Sequence, residues 1–464
     1  MVFSSTIFLA VFLPLLLIVY YNPVFKSLTF KNIILFLASL VFYAWGEPIY
    51  VFLMIFSVMV SWGIGLALEE ANRKDVKKIF LVVGISYHVA ILFIFKYLSF
   101  IMTEWGKAVH REFQVHIALP IGISFFTFQM MSYIFDVYYG KAGAQRNVLY
   151  VGLYVALFPQ LIAGPIVRYE QIAAEINCRA VNKEDFTDGM QRFIYGLGKK
   201  VLLANYLAQI ADNIFDYTRD PSMMTAWLGA LAYTLQIYFD FSGYSDMAIG
   251  LGRLFGFHFA ENFNYPYIAK TVTDFWRRWH ISLSAWFRDY VYIPMGGNRV
   301  KRARWIFNLL FVWLLTGIWH GANWTFLMWG LFYFVVLLAE KLLGVTQKNV
   351  WFSRVYTLII VIVAWVIFRS ENMMSAVQYL SRMFGFTKNA FVDKQFFYYL
   401  DSGKVVLPIS ILLALPSYQW LKRKMSGHQN VFEMVEALFT VGIFLLSVVF
   451  TISSTYNPFI YFNF

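Results

Sequence analysis

The chain has 464 residues, of which 60% are hydrophobic, 20% aromatic and only 14% charged, with a formal net charge of +12. A soluble domain carries about 25% charged residues, so a water-soluble globular fold is excluded and an integral membrane protein is implied. The positive balance does not point to nucleic acid. It is divided among short connectors (Arg73, Lys74, Lys77 and Lys78; Arg299, Lys301, Arg302 and Arg304; Lys422, Arg423 and Lys424) and forms no single stripe. Anionic membrane lipids are the simpler partner, and the positive-inside tendency assigns these connectors to the cytoplasmic face.

Apolar runs recur along the whole chain. A first run over 7–21 lacks a basic region before it and a small-residue cleavage site after it, which predicts a retained span and not a signal peptide. Further runs over 32–44, 49–68, 79–95, 117–138 and 149–167 predict spans, several of them short enough to need help in crossing. Others follow at 193–214, 224–239, 305–320, 324–343, 351–368, 405–420 and 435–452, giving roughly a dozen helices. The predicted fold is all-α and polytopic, a single integral-membrane domain over 1–464 whose motif-rich region lies at about 230–330. Cys178 is the only cysteine, so the chain has neither an intrachain disulfide nor a cysteine metal cluster.

One zone interrupts the apolar rhythm. Between Asp240 and Arg304 the chain mixes apolar residues with Asp246, Arg253, His258, Glu261, Asp274, Arg277, Arg278, His280, Arg288 and Asp289. Charge and irregular backbone are tolerated at membrane depth only inside protein or along a cavity, so short interfacial or re-entrant helices are expected there. Within it, Phe275-Trp-Arg-Arg-Trp-His-Ile-Ser282 is dense in donors and aromatic faces. Arg277 and Arg278 have the forked donors that hold phosphate or carboxylate, as a coenzyme A donor needs, although an interfacial helix resting its arginines on headgroups explains the same residues.

His320, in Leu315-Thr-Gly-Ile-Trp-His-Gly-Ala-Asn323, is an ionisable ring inside a run that otherwise reads as membrane span. Such a ring gives up hydration and marks either a site or a core histidine satisfied by backbone. His280 lies in the more amphipathic run, and the pair lacks a third ligand at helical spacing, so no metal is expected. Asp240 and Asp246 follow a long apolar run, where they either orient a histidine or cap a helix start. His88, His110, His116, His258 and His428 carry no specific signal. Gly196-Leu-Gly-Lys-Lys200 is not a phosphate loop, and no Gly-x-Ser-x-Gly elbow occurs. Chemistry at a histidine therefore competes with a transporter or polymer-export protein that makes no covalent bond.

Four segments in order, Tyr238-Phe-Asp-Phe-Ser-Gly-Tyr-Ser-Asp-Met-Ala-Ile-Gly250, Phe275-Trp-Arg-Arg-Trp-His-Ile-Ser282, Tyr292-Ile-Pro-Met-Gly-Gly-Asn-Arg299 and Trp319-His-Gly-Ala-Asn323, resemble the membrane-bound O-acyltransferase family. The opening Met1-Val-Phe-Ser-Ser, Leu119-Pro-Ile-Gly-Ile-Ser-Phe-Phe-Thr-Phe128 and Leu161-Ile-Ala-Gly-Pro-Ile-Val-Arg168 extend the likeness toward its bacterial polysaccharide branch, which acetylates alginate or peptidoglycan. Beyond about Phe368 the likeness is weak.

The resemblance implies a ring of helices around a thinned centre, with a tunnel joining the two membrane faces. It implies that His320 is the family's essential histidine and His280 the second one. It further implies no bound cofactor, with acetyl-CoA or another acyl thioester as donor substrate. The acyl group would pass to an extracytoplasmic partner transferase or acceptor protein, and indirectly to polysaccharide, in a bacterial inner membrane. His320 would then be the base that deprotonates the attacking hydroxyl. Trp319, Asn323 or a backbone N–H would be the donors to the oxyanion.

Overall fold

The structure is a computed structural model, and it describes every residue except 25, 114, 116, 218–219, 345–349, 455 and 460–464, together with the side chain of Tyr217. His116 lies outside the described residues. All described regular structure is helical. Five helices are long and apolar enough to cross a membrane, Tyr50–Glu70, Lys74–Val109, Trp324–Leu343, Val350–Arg369 and Ser426–Ser453, and the pair Lys394–Ser402 and Val406–Ala414, bent by 67°, makes a sixth if counted as one broken span.

The predicted spans differ from these in instructive ways. The helix over 79–95 does not stop but continues through a π-turn at Phe93–Tyr97 to Val109. The run 149–167 is broken into Val148–Ala156 and Phe158–Leu161, where Pro159 opens the second piece. The run 405–420 is likewise split before Pro416. Asp240 and Asp246 do not follow a helix or cap a new one. They sit inside a single 32-residue helix, Met223–Leu254, because no proline interrupts the run and both carboxylates have cationic partners that make burial tolerable.

The chain divides into two compact units, Met1–Phe193 with Ser245–Ala260, and Ile194–Tyr244 with Glu261–Phe464. In the first, the helix Ile123–Tyr138 is buried on almost every face, its polar residues Ser124, Thr127, Gln129, Ser132 and Asp136 included. Gly65 of Tyr50–Glu70 allows its close approach, since a side chain there would meet the Tyr133 phenol. Phe3, Phe8, Phe42 and Phe158 form an aromatic cluster beside it, with ring centroids 5.1–6.2 Å apart. His258, which carried no signal in the sequence, is clasped between Glu175 (2.9 Å) and Asp185 (3.1 Å).

The second unit holds the motif-rich segments. We label its helices α1 (Val272–Arg278), α2 (Ile281–Phe287), α3 (Arg302–His320), α4 (Trp324–Leu343) and α5 (Val350–Arg369). Helices α3 and α4 form a hairpin closed by a three-residue turn, and their crossing depends on Gly317 and Gly330. A side chain at Gly317 would collide with the Phe326 carbonyl, and one at Gly330 with the Trp313 carbonyl. Small residues of this kind let membrane helices approach backbone to backbone. Gly330→Val should therefore lower stability by roughly 1–3 kcal/mol, the cost of overpacking, read as a fall in the thermal midpoint of detergent-solubilised protein. An unchanged midpoint would show that the crossing is loose.

Candidate active site

The Phe275–Ser282 segment is positioned from its first turn. Thr271 caps α1 by accepting from the Asp274 N–H (3.0 Å), and Asp274 accepts in return from the Lys270 N–H (3.2 Å). Glu340 of α4 accepts from the Val272 N–H (2.7 Å), the Thr273 N–H (3.0 Å) and the Thr273 hydroxyl (2.9 Å). A carboxylate at a helix N-terminus satisfies unpaired donors and complements the dipole, so α1 is held on α4 by a buried acid.

His280 follows α1 and is 1% exposed. Its backbone is left-handed, with φ of 43°, a conformation costly for a side chain with a Cβ and one that calls for a reason. The reason lies in Asn262. The Asn262 side-chain oxygen accepts from the Ser282 N–H (3.1 Å) and the Ser282 hydroxyl (2.9 Å), which fixes the amide's orientation. The same oxygen lies 3.2 Å from His280 Nδ1, so Nδ1 must carry the proton and donate. Nε2 is then left as an acceptor, and it has no hydrogen-bond partner among the described residues.

Burial pushes the His280 pKa down to about 3, so the ring is neutral at physiological pH. The unfolded chain, with an ordinary histidine near 6.5, takes up a proton between pH 6.5 and 3 that the folded protein refuses. Stability from this group is thus complete above pH 6.5 and is lost as pH falls below it, at about 1.4 kcal/mol per pH unit. Thermal midpoints between pH 7.5 and 5 should fall more steeply for the wild type than for His280→Gln, and parallel curves would contradict this.

His320 is the last residue of α3 and is 5% exposed. Its ring meets Trp329 and Phe368 edge-on, each at 5.1 Å between centroids, and Trp319 at 5.0 Å. Trp319 also lies 6.0 Å from His280, so one indole has an imidazole on each side. The turn after His320 is pinned by Asn323, whose oxygen caps α4 by accepting from the Thr325 N–H (3.1 Å) and whose amide donates to the Glu371 carbonyl (2.8 Å).

The remaining sequence candidates are occupied elsewhere. Asn323, expected as an oxyanion donor, directs its amide N–H to the Glu371 carbonyl while its oxygen caps α4. Arg278, expected to hold the donor, is tied to Asp274 (2.9 Å) and the Asn264 carbonyl (3.3 Å). Arg277 is exposed. Asp240 forms a buried ion pair with Lys200 (2.6 Å), and Asp246, in the other unit, pairs with Arg192 (2.8 Å). Among the described residues no three His, Cys, Asp or Glu side chains gather as metal ligands.

Residues that the sequence reading missed complete the surroundings. Trp276, Trp329 and Tyr333 form mutual ring contacts of 5.0–5.6 Å, and Trp329 also touches His320. The indole N–H groups of Trp276 and Trp329 and the Tyr333 hydroxyl are buried without a hydrogen-bond partner among the described residues. An indole can only donate, and leaving it unpaired costs about 1–3 kcal/mol, so these groups are suited to an acceptor oxygen. Glu340 and Asn262 were likewise missed. The signal for Glu340 was a lone acid at the end of an apolar helix, whereas nothing in the sequence marked Asn262.

An apolar, all-helical chain that buries two imidazoles about one indole, one of them neutral by burial, defines a polytopic membrane protein. The chain belongs to the membrane-bound O-acyltransferase family, whose sequence profile its residues 85–377 match, and it is accordingly an O-acyltransferase. It is 44% identical to a probable alginate O-acetylase of Pseudomonas putida, over 83% of this chain and 81% of that one. It is 31% identical to the peptidoglycan O-acetyltransferase of Helicobacter pylori, over 100% of this chain and 98% of that protein. A teichoic acid D-alanyltransferase of Bacillus subtilis is 31% identical over 47% of this chain and 58% of its own length.

Proposed function

We propose that the protein takes an acetyl group from a cytoplasmic thioester, acetyl-CoA or an equivalent, and delivers it across a bacterial cytoplasmic membrane for O-acetylation of an extracellular or cell-wall polysaccharide of the alginate or peptidoglycan kind. An extracytoplasmic partner transferase or acceptor protein receives the group on the far side. The similarity to alginate and peptidoglycan acetylating proteins over nearly the whole chain supports this acceptor class.

In this reading His320 is the general base. The acceptor hydroxyl oxygen attacks the thioester carbonyl carbon as its proton passes to the imidazole. A C–O bond forms, the C–S bond breaks, and the proton is returned to the leaving thiolate. His280 is the second histidine, its Nδ1–H held by the Asn262 oxygen and its Nε2 left as the acceptor. The Trp276 and Trp329 indoles and the Tyr333 hydroxyl, together with Trp319, serve as donors to the developing oxyanion. The observation that carries the reading is the pair of buried histidines flanking Trp319, both within segments of the family's pattern.

Purified protein in proteoliposomes, given acetyl-CoA labelled in the acetyl group on one side and the partner with polysaccharide on the other, should yield labelled polymer. Label that crosses without becoming covalently attached would favour a transporter and end the proposal.

A further inference from the structure

The strand that leaves the long helix Met223–Leu254 carries a third histidine, His258, for which the two-histidine site has no use. Its protonation state follows from hydrogen-bond chemistry. His258 Nδ1 lies 2.9 Å from one Glu175 oxygen, and Nε2 lies 3.1 Å from an Asp185 oxygen. The other Glu175 oxygen accepts from the His258 backbone N–H (3.1 Å). A carboxylate only accepts, whereas a neutral imidazole has one donor nitrogen and one bare lone pair. Both ring contacts are therefore hydrogen bonds only when the ring carries two protons, and loss of one sets a lone pair against a carboxylate.

The two acids come from different segments. Glu175 belongs to the helix Tyr169–Asn177, and Asp185 to the first turn of Lys183–Gly198, where the Asn182 side chain accepts from its N–H (2.6 Å). His258 thus joins three pieces of the first unit. Its strand has further ties, since the Phe255 carbonyl accepts from the Tyr20 hydroxyl (2.9 Å) and Arg179 Nε (2.8 Å), and the Leu254 carbonyl from the Tyr21 hydroxyl (2.5 Å). Phenols titrate at about 10 and guanidinium above about 12, so among these ties His258 is the one that changes charge near neutral pH. The other charges close by are engaged: Arg253 pairs with Asp188 (2.9 Å), the Arg179 guanidinium lies over the Phe257 ring at 4.3 Å, and the Lys31 ammonium over the Tyr20 ring at 4.9 Å. Burial pulls the His258 pKa down, but hydrogen bonds to Asp185 and Glu175 outweigh it and hold the ring above the ordinary 6.5.

This clasp lies on the cytoplasmic face. The Ile176 carbonyl, next to Glu175, accepts from the Asn32 amide (2.9 Å) near the start of the helix Leu28–Ala44. That helix turns back into Tyr50–Glu70, which ends at the connector of Arg73, Lys74, Lys77 and Lys78 that the positive-inside tendency assigns to the cytoplasm. In the other direction the strand runs through Ala260, where the first unit ends, to Asn262, which fixes the tautomer of His280. Only residues 259–261 lie between the clasp and Asn262.

We propose that His258, Glu175 and Asp185 form a proton-operated latch on the cytoplasmic face, closed while the imidazole carries two protons and released in an alkaline cytoplasm, and that it sets the order of the strand leading to Asn262 and thereby the rate of acyl transfer. The link to rate rests on the reading under Proposed function, whereas the latch does not. Because the folded ring holds its proton more tightly than the unfolded one, the latch contributes fully below pH 6.5 and is lost as pH rises through the folded value.

Full-length protein in nanodiscs is followed by hydrogen–deuterium exchange at about pH 6.5 and pH 9, with exposure times scaled for the intrinsic rate, in peptides covering 252–262. The wild type should be about ten-fold better protected at the lower pH, the scale of one partly exposed charge-assisted hydrogen bond. His258→Gln should be weakly and equally protected at both, and His258→Arg, a permanent cation with forked donors, well protected at both. Equal wild-type protection at the two pH values, or a step that survives in His258→Gln, would overturn the latch. Should His258→Gln not fold, Asp185→Asn removes one of the two acceptors and should shrink the step and move it to lower pH. In a second arm, the ratio of wild-type to His258→Arg acetyl transfer in proteoliposomes should fall about three-fold or more as the cytoplasmic-side buffer is raised over the same range. A flat ratio would overturn the link to the site. A wild type that transfers no acetyl at any pH would instead defeat the reading of function, and the exchange arm would still decide the latch.

Discussion

Replacing His320 with Ala should lower acetyl transfer by about 10²- to 10⁴-fold, the range that a positioned general base supplies. The ring is almost fully buried and makes edge contacts with Trp319, Trp329 and Phe368, so Ala also removes packing. His320→Gln separates the two effects, since it keeps most of the volume and a hydrogen-bonding end but cannot accept a proton at neutral pH. Both variants should remain folded, with thermal midpoints close to the wild type for Gln and lower for Ala. Transfer of labelled acetyl should be lost in both. Activity within ten-fold of the wild type in His320→Gln would remove His320 from the role of base, and a parallel loss of folding and activity in both would reduce it to a packing residue.

The membrane class and the segments that gather at the site were readable because they rest on local signals. Apolar runs of spanning length, the Trp-Arg-Arg-Trp-His motif and a histidine in an apolar setting are each visible in a window of twenty residues. Helices α4 and α5 accordingly matched their predicted ranges to within a residue. What failed depended on the partner each side chain finds, near or far in sequence, which residue type alone does not name. Asp240 looked like a helix boundary because a carboxylate ends an apolar run, but Lys200, 40 residues earlier, neutralises it at 2.6 Å and the helix runs on. Arg278 looked available until Asp274, one turn away on the same short helix, was seen to hold it. Asn323 looked like a donor to substrate, and an Asn immediately before a helix should have been read as its cap. Asn262 stands 18 residues from His280 in a segment without regular structure, where no periodicity exists to mark it.

Asn262 is a positioning residue, and its variants should show this in a way that a packing role would not. Its oxygen dictates which nitrogen of His280 carries the proton, through contacts of 3.1 Å to the Ser282 N–H and 3.2 Å to Nδ1. With Asn262→Leu the ring can adopt either tautomer and either orientation, and transfer should fall by about 10²-fold. A comparable disruption in a serine protease triad, where the wrong tautomer is stabilised, costs about 10⁴-fold. Asn262→Asp keeps the acceptor and adds a negative charge beside the ring, which favours the imidazolium and raises the His280 pKa from about 3. The acid limb of the pH–rate profile should therefore move upward toward neutral in Asn262→Asp, with the plateau rate closer to the wild type than in Asn262→Leu. A residue that merely fills space would lower the rate without moving the limb. If the profile of Asn262→Asp superimposes on the wild type while Asn262→Leu retains activity within three-fold, His280 takes no part in proton movement and the left-handed turn that carries it serves packing alone.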